Sequence, residues 1–281
     1  TARRPGPPPE KAAVAAGSLA LFLFFSLPIV SPAARSFLRV EADRGGGNPA
    51  SREWTLDYYR ALFVNRKGAA FFATPIEMAR NSLVVAAATA ALALALGVPA
   101  ALGLAQPARG NRVLEPLLLL PLGTSAVALG LGMLVVFSGG PLDWIRSPAM
   151  LPVAHALVAF PFVVRGLKPA FAGIPARLRE AAASLGADPR RVFLSVDLPI
   201  AARAVLSSAA FAFAVSLGEF GATAIIVRPN FPTLPVGIFR LLSQPGGLNY
   251  GQAMALTTIL ILCCGAAVLL FDRGSAESPA V

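Results

Sequence analysis

Six stretches of this 281-residue sequence approach the roughly 20 apolar residues that a helix needs to cross the hydrocarbon core of a bilayer. They are Ala12 to Val30, Asn81 to Ala105, Val113 to Phe137, Met150 to Val164, Ala204 to Val227 and Ala253 to Phe271. Inside that core an uninterrupted helix satisfies its own backbone, so the expected fold class is all-α, a polytopic membrane helix bundle of six transmembrane helices. Composition agrees: 56% of residues are hydrophobic and 14% charged, which excludes an ordinary water-soluble enzyme. The fourth stretch is the shortest, since Arg165 closes it early and Pro152 and Pro161 interrupt it. Prolines are tolerated there when neighbouring helices satisfy the carbonyls they free.

Charge then orients the bundle. The net charge of +10 is better used for membrane topology than for nucleic acid, because few aromatics interleave with the basic residues. Placing the N terminus in the cytoplasm puts Arg3, Arg4, Lys11, Arg109, Arg112, Arg165, Lys168, Arg177, Arg179, Arg190, Arg191, Arg203 and Arg273 on the cytoplasmic side. Arg146, Arg228 and Arg240 oppose that assignment. Residues 31–80 then form an extracytoplasmic segment, residues 1–11 a cytoplasmic tail or linker of a longer polypeptide, and 273–281 a second cytoplasmic tail. Trp54, Tyr58, Tyr59, Trp144 and Tyr250 fall on the outer side, where an aromatic belt belongs. Ser31-Pro-Ala-Ala loosely resembles a signal-peptidase site, but the apolar run before it is too long for a usual signal peptide.

Few residues are available for covalent or metal chemistry. Cys263 and Cys264 are neighbours in an apolar run and diverge around a helix, which suits packing. His155 has no Ser, Cys or Asp partner at motif spacing and reads as a satisfied interior residue. Neither a metal nor any other cofactor is expected on this chain. None of Lys11, Lys67 and Lys168 lies in a Gly-x-x-x-x-Gly-Lys-Ser/Thr context, so ATP hydrolysis has no visible seat here.

Phe171 to Arg203 is the one cytoplasmic loop long enough to fold by itself. Pro175 suits the first turn of a helix along which Leu178, Ala181, Ala182 and Leu185 recur at helical spacing. Arg177 can pair with Glu180, and Gly186 can end the helix in a left-handed conformation. Asp188 then caps a second short helix with Pro189 at its first position, and Leu198-Pro199 is expected to stop it before the fifth span.

Glu180-Ala181-Ala182, then Gly186, then after nine residues Val196-Asp197-Leu198-Pro199, resembles the EAA loop of bacterial ABC importer permeases, with Val196 in place of the usual Ile. Asn81-Ser82-Leu83 and Ser216-Leu217-Gly218-Glu219-Phe220-Gly221-Ala222-Thr223 extend the likeness over roughly residues 80 to 272. The resemblance implies a MetI-like permease fold with a cytoplasmic coupling-helix loop and a core domain over 81–272. It implies the location too, a bacterial cytoplasmic membrane. Its implied partners are a dimer of ATP-binding cassette subunits, which holds ATP and Mg, an extracytoplasmic solute-binding protein, a second permease half that is fused, separate or identical, and membrane lipid. In such a scheme Glu180, Ala181, Ala182, Leu185, Gly186, Leu198 and Pro199 couple to the ATPase.

Glu219 is the ionisable residue deepest within a span. It either faces the translocation pathway or gate, or accepts hydrogen bonds that hold the bundle in register. Gly218 and Gly221 beside it allow close packing or a local helix break. Together with Thr233-Leu-Pro and Gln244-Pro-Gly, this segment looks most like permeases for ferric iron and thiamine, with molybdate and sulfate permeases close behind. An ion-gradient-driven secondary transporter is the alternative, and it predicts internal repeats with interrupted helices, of which the sequence shows no convincing repeat. An intramembrane hydrolase would need a partnered nucleophile that the sole His155 does not supply.

Overall fold

The structure, a computed structural model, describes residues 8–38, 54–64, 73–138, 147–226 and 231–277. In chain order the helices are α1 (Pro8–Ser36), α2 (Asp57–Ala61), α3 (Pro75–Ala105), α4 (Asn111–Leu119), α5 (Ala126–Phe137) and α6 (Met150–Ala172). They continue as α7 (Ala176–Ser184), α8 (Pro189–Val192), α9 (Leu198–Gly218), α10 (Gly221–Ile226), α11 (Leu234–Leu242) and α12 (Gly247–Glu277). Trp144, Arg146 and Arg228, to which the sequence assigns an outer position, lie outside the described residues, as do residues 278–281.

Among the described residues five helices are long and apolar enough to cross a membrane: Ala12–Ser36, Pro75–Ala105, Met150–Ala172, Pro189–Gly218 and Gly247–Leu269. The expected third span is not one straight helix. Asn111–Gly123 and Ala126–Phe137 meet at 102°. A tight turn over Leu120–Gly123 and extended backbone at Thr124 and Ser125 make the corner, where Pro121 cannot donate to a helix ladder. Counting this bent pair as one span gives six.

At two other places the helices run past the expected span limits. Arg165 does not end the helix, because α6 runs on through Pro169 with Arg165 on its exposed side. α3 begins at Pro75, ahead of Asn81: Thr74 accepts from the Glu77 amide, and the Glu77 carboxylate accepts in return from the Thr74 amide at 2.8 Å.

The described residues fall into two compact units, each considered alone. The first draws on Thr1–Val64 and Ile238–Ile261. Here Ser36, fully buried, shares a 2.8 Å hydrogen bond with the Tyr59 hydroxyl and receives Thr258 Oγ1 at 3.5 Å. Arg35 Nη1 donates to the Tyr250 hydroxyl at 3.2 Å. Gly251 leaves room for the Tyr58 ring, which a Cβ there would overlap. The apolar flank of α1, including Leu21, Phe22, Phe24 and Leu27, is exposed, as a helix facing lipid can be.

The second unit draws on Asn65–Gly237 and Leu262–Val281. Its centre is α3, α6 and α9, packed through Ala90, Ala93, Ala101, Ala156, Ala159, Ala201 and Ala212 around Val163, Leu167 and Phe171. Lipid tails are as apolar as Leu, so membrane helices gain little by hiding large side chains and more by close backbone approach over small ones. Glycine takes this further: a Cβ on Gly97 would lie 2.5 Å from Val163 Cγ1, and one on Gly130 of α5 would lie 2.9 Å from Ala222 Cα of α10. Lys168 of α6 holds Glu115 of α4 at 2.6 Å, and Asn111 Nδ2 donates to the Gln106 carbonyl at 2.6 Å to close the end of α3.

The contact at Gly130 is against backbone, which a rotamer change cannot relieve. Gly130→Val is therefore expected to separate α5 from α10 at a cost of about 1–3 kcal/mol, read as a lowered Tm of the purified protein in detergent. An unchanged Tm would show that the two helices do not depend on this approach.

Candidate coupling loop and pathway site

The loop begins where α6 ends. Gly173 donates to the Pro169 carbonyl at 3.0 Å, and Pro175 in extended conformation precedes α7. The other end of α7 explains why the motif has its spacing. The Gly186 amide donates to the Ala183 carbonyl at 2.9 Å and the Ala187 amide to the Ala182 carbonyl at 3.1 Å, a Schellman closure with Gly186 at φ +85°. Nothing lies within 4 Å of a Cβ built on Gly186, so the demand for glycine is one of backbone angle, not of room.

The closure leaves an apolar side chain standing in the open. Leu185 is 90% exposed, beside exposed Glu180 and Ala181 and half-buried Ala182. Glu180 makes no ion pair with Arg177 among the described residues, contrary to the sequence expectation. The cation that matters is two positions on from Arg177. Arg179 Nε donates to Asp197 Oδ1 at 2.7 Å and its Nη2 to the Phe171 carbonyl at 3.2 Å, joining α7 to the end of α6 and to the start of α9. The Asp197 side chain is 6% exposed. In the sequence Asp197 stands out only as a motif position. Its signal was a carboxylate set between Val196 and Leu198 with a basic residue available in the preceding helix.

Asp188 caps α8 by accepting from the Arg191 amide at 2.8 Å, with Pro189 in the first turn. Leu198-Pro199 does not stop the helix, and that expectation is corrected. α8 continues through a widened turn, Phe193–Asp197, in which the Leu198 amide reaches back five residues to the Phe193 carbonyl, and then into α9. Widening draws the preceding carbonyls away from the Pro199 ring and removes the clash that breaks an ordinary helix. Leu198 is half-buried and Pro199 exposed.

The other candidate residues lie where the fifth span is interrupted. α9 ends at Gly218, Glu219 turns to extended backbone, and its carboxylate accepts from the Ala222 amide at 2.9 Å, capping α10. Gly221 packs against α5, where a Cβ would lie 3.2 Å from both the Ala126 side chain and the Val127 amide. Gly218 has open space around it. Asn81 and Ser82 on α3 hold the segment leading into α11: Asn81 Nδ2 donates to the Pro232 carbonyl at 3.1 Å, and the Leu234 amide donates to Ser82 Oγ at 2.9 Å.

Arg179→Ala leaves Asp197 buried without its cation, a loss on the order of 3 kcal/mol, and is expected to detach α7. Trypsin cleavage of the purified protein at Arg177, Arg190 and Arg191 should then quicken at least about tenfold, because cutting follows the open population. Cleavage at the wild-type rate would show that the pair does not hold the loop.

The sequence matches the family described as binding-protein-dependent transport system inner membrane component over residues 79–274. A putative 2-aminoethylphosphonate transport system permease protein of Salmonella typhimurium is 34% identical over 181 residues, 64% of this chain and 67% of that protein. A molybdenum transport system permease protein of Escherichia coli is 33% identical over 167 residues, 54% of this chain and 72% of that one. A probable molybdenum ABC transporter permease protein of Haloferax volcanii is 36% identical over 209 residues, covering 71% and 76%. Among solved structures, a chain of a bacterial alginate ABC transporter superposes with a TM-score of 0.68 at 16% identity over 95% of both chains, which shows the shared fold. With the family pattern spanning the loop, the interrupted fifth helix and the alanine-lined core, this chain belongs to the binding-protein-dependent inner-membrane permeases, the membrane component of ABC importers.

Proposed function

We propose that this chain is one half of the membrane channel of an ATP-driven importer, and that α7 is the element through which a separate ATP-binding subunit moves it. The observation that carries the reading is the exposed Leu185 fixed beside Glu180 by the Gly186 closure. An apolar side chain held rigidly in the open at the tip of a charged loop suits a cleft on another protein. Glu180, Ala181, Ala182, Leu185 and Gly186 form the contact, while Leu198 and Pro199 pass its movement into α9. ATP and Mg bind to the partner's dimer, the N and C termini and the loop face the cytoplasm, and an extracytoplasmic binding protein delivers solute from the other side. A second half completes the pathway. Gly218, Glu219 and Gly221 line or gate it, with Glu219 acting through the α10 start that it caps.

For the solute we infer a small oxoanion. The relatives described above are named for 2-aminoethylphosphonate and for molybdenum, which dissolves as molybdate, and this supports an anion over ferric iron or thiamine. Uptake into vesicles holding the assembled importer and its binding protein separates these: labelled molybdate or 2-aminoethylphosphonate should enter in an ATP-dependent manner, and ferric iron and thiamine should not. Entry of iron or thiamine alone would return the assignment to the sequence-based expectation.

Interrupted helices would also suit a gradient-driven carrier, but the family match over residues 79–274 favours ATP. Gly186→Val puts a β-branched residue at φ +85°, a strain of about 1–3 kcal/mol. Membrane insertion should be normal while recovery of the ATP-binding subunit on purification falls about tenfold, and Leu185→Asp should do the same without backbone strain. Normal recovery with both variants would move the ATPase contact elsewhere.

A further inference from the structure

His155 sits on α6 and is 1% exposed. Its Nδ1 lies 2.7 Å from Ser216 Oγ and its Nε2 2.6 Å from Thr223 Oγ1. Ser216 belongs to the last turn of α9 and Thr223 to the first turn of α10, so the imidazole holds both sides of the interruption at Glu219 and Phe220. Both hydroxyls carry the contact further. Ser216 Oγ is 3.1 Å from Thr89 Oγ1 of α3, Thr89 Oγ1 donates to the Pro152 carbonyl at 3.5 Å, and Thr223 Oγ1 donates to the Glu219 carbonyl at 3.0 Å.

A neutral imidazole brings one N–H and three hydroxyls bring one proton each, four donors for five contacts. With the proton on Nε2, the ring donates to Thr223, which donates to Glu219, while Ser216 donates to Nδ1. With the proton on Nδ1, the ring donates to Ser216, which donates through Thr89 to Pro152, while Thr223 turns to Nε2 and releases the Glu219 carbonyl. The Ser216–Thr89 contact between α9 and α3 can be kept in both, by Thr89 donating in the first and Ser216 in the second, whereas the Thr223 bond to the Glu219 carbonyl is kept only with the proton on Nε2.

We propose that His155 is the positioning residue of the interrupted fifth span: its ring bridges the gap that the backbone leaves and sets how α10 sits on α9, and with it where Glu219 is held. This rests on the reading of the chain as a permease. Truncating the ring does not strand its partners, because Ser216 keeps Thr89 and Thr223 keeps the Glu219 carbonyl. The connection across the gap is lost while the helices on either side remain satisfied.

The test uses the importer assembled with its ATP-binding subunit and second half, with amide hydrogen exchange followed by mass spectrometry. In His155→Ala, exchange over residues 219–224 should rise about tenfold or more, while residues 85–101 of α3 stay within about twofold of wild type. His155→Gln, whose amide offers one donor and one acceptor, should recover part of the protection. Thr223→Val should raise exchange as His155→Ala does, and the double variant should exchange no faster than His155→Ala alone. Unchanged exchange at 219–224, an equal rise throughout α3, α6 and α9, or no recovery with Gln would overturn the proposal. Failure of the wild-type assembly to hydrolyse ATP would instead overturn the permease reading, leaving the exchange result to judge the bridge.

Discussion

A helix that ends inside hydrocarbon leaves backbone donors and acceptors with no water to receive them, and the rest of this bundle is arranged around meeting that demand. It arises at the corner between α4 and α5 and again between α9 and α10. In the first, Thr124 Oγ1 donates to the Pro121 carbonyl at 3.0 Å; in the second, the Glu219 carboxylate takes the Ala222 amide. The two corners adjoin, with Gly221 against Ala126 and Gly130 against Ala222, so small residues bring together the segments that needed capping. An intramembrane carboxylate that looks anomalous by composition is accounted for once the helix it caps is seen.

The loop meets a different demand, that of tying a short surface helix to the bundle. α7 has little hold of its own on the bundle, being short and exposed. Arg179 makes it part of a larger body by touching both the end of α6, through the Phe171 carbonyl, and the start of α9, through Asp197. Helical continuity from Pro189 to Gly218 then joins that body to the interruption at Glu219. If α7 docks as proposed, one ion pair and one continuous rod connect it to that interruption.

Much of this was legible from residue type and spacing. Apolar length located the spans, and the Ala182 to Gly186 interval anticipated a left-handed helix end, because a Schellman closure depends only on neighbours in sequence. The tertiary part was not legible. Hydropathy over Val113 to Phe137 is blind to direction, so Pro121 and Gly123, which mark the corner, were absorbed into a straight span. Pro199 read as a stop because a widened turn leaves no residue signature of its own. Arg179 and Asp197 are 18 positions apart, and their pairing depends on how α6, α7 and α9 return to one another. His155 was correctly read as an interior residue, yet its two hydroxyl partners stand 61 and 68 positions away and could not have been paired by motif. Solute preference was the least legible, since no spacing in the chain describes a pocket for one molecule.

Leu185 has a consequence for the life of the protein before assembly. A leucine held rigidly in water forgoes the about 1.5–3 kcal/mol that burial returns, and the Gly186 closure prevents it from folding back to hide. If the proposed docking covers Leu185, a newly made copy that has not yet docked displays an apolar tip to chaperones and proteases. On that reading, cells that make this subunit in excess should degrade the surplus, tying its abundance to that of the docking partner.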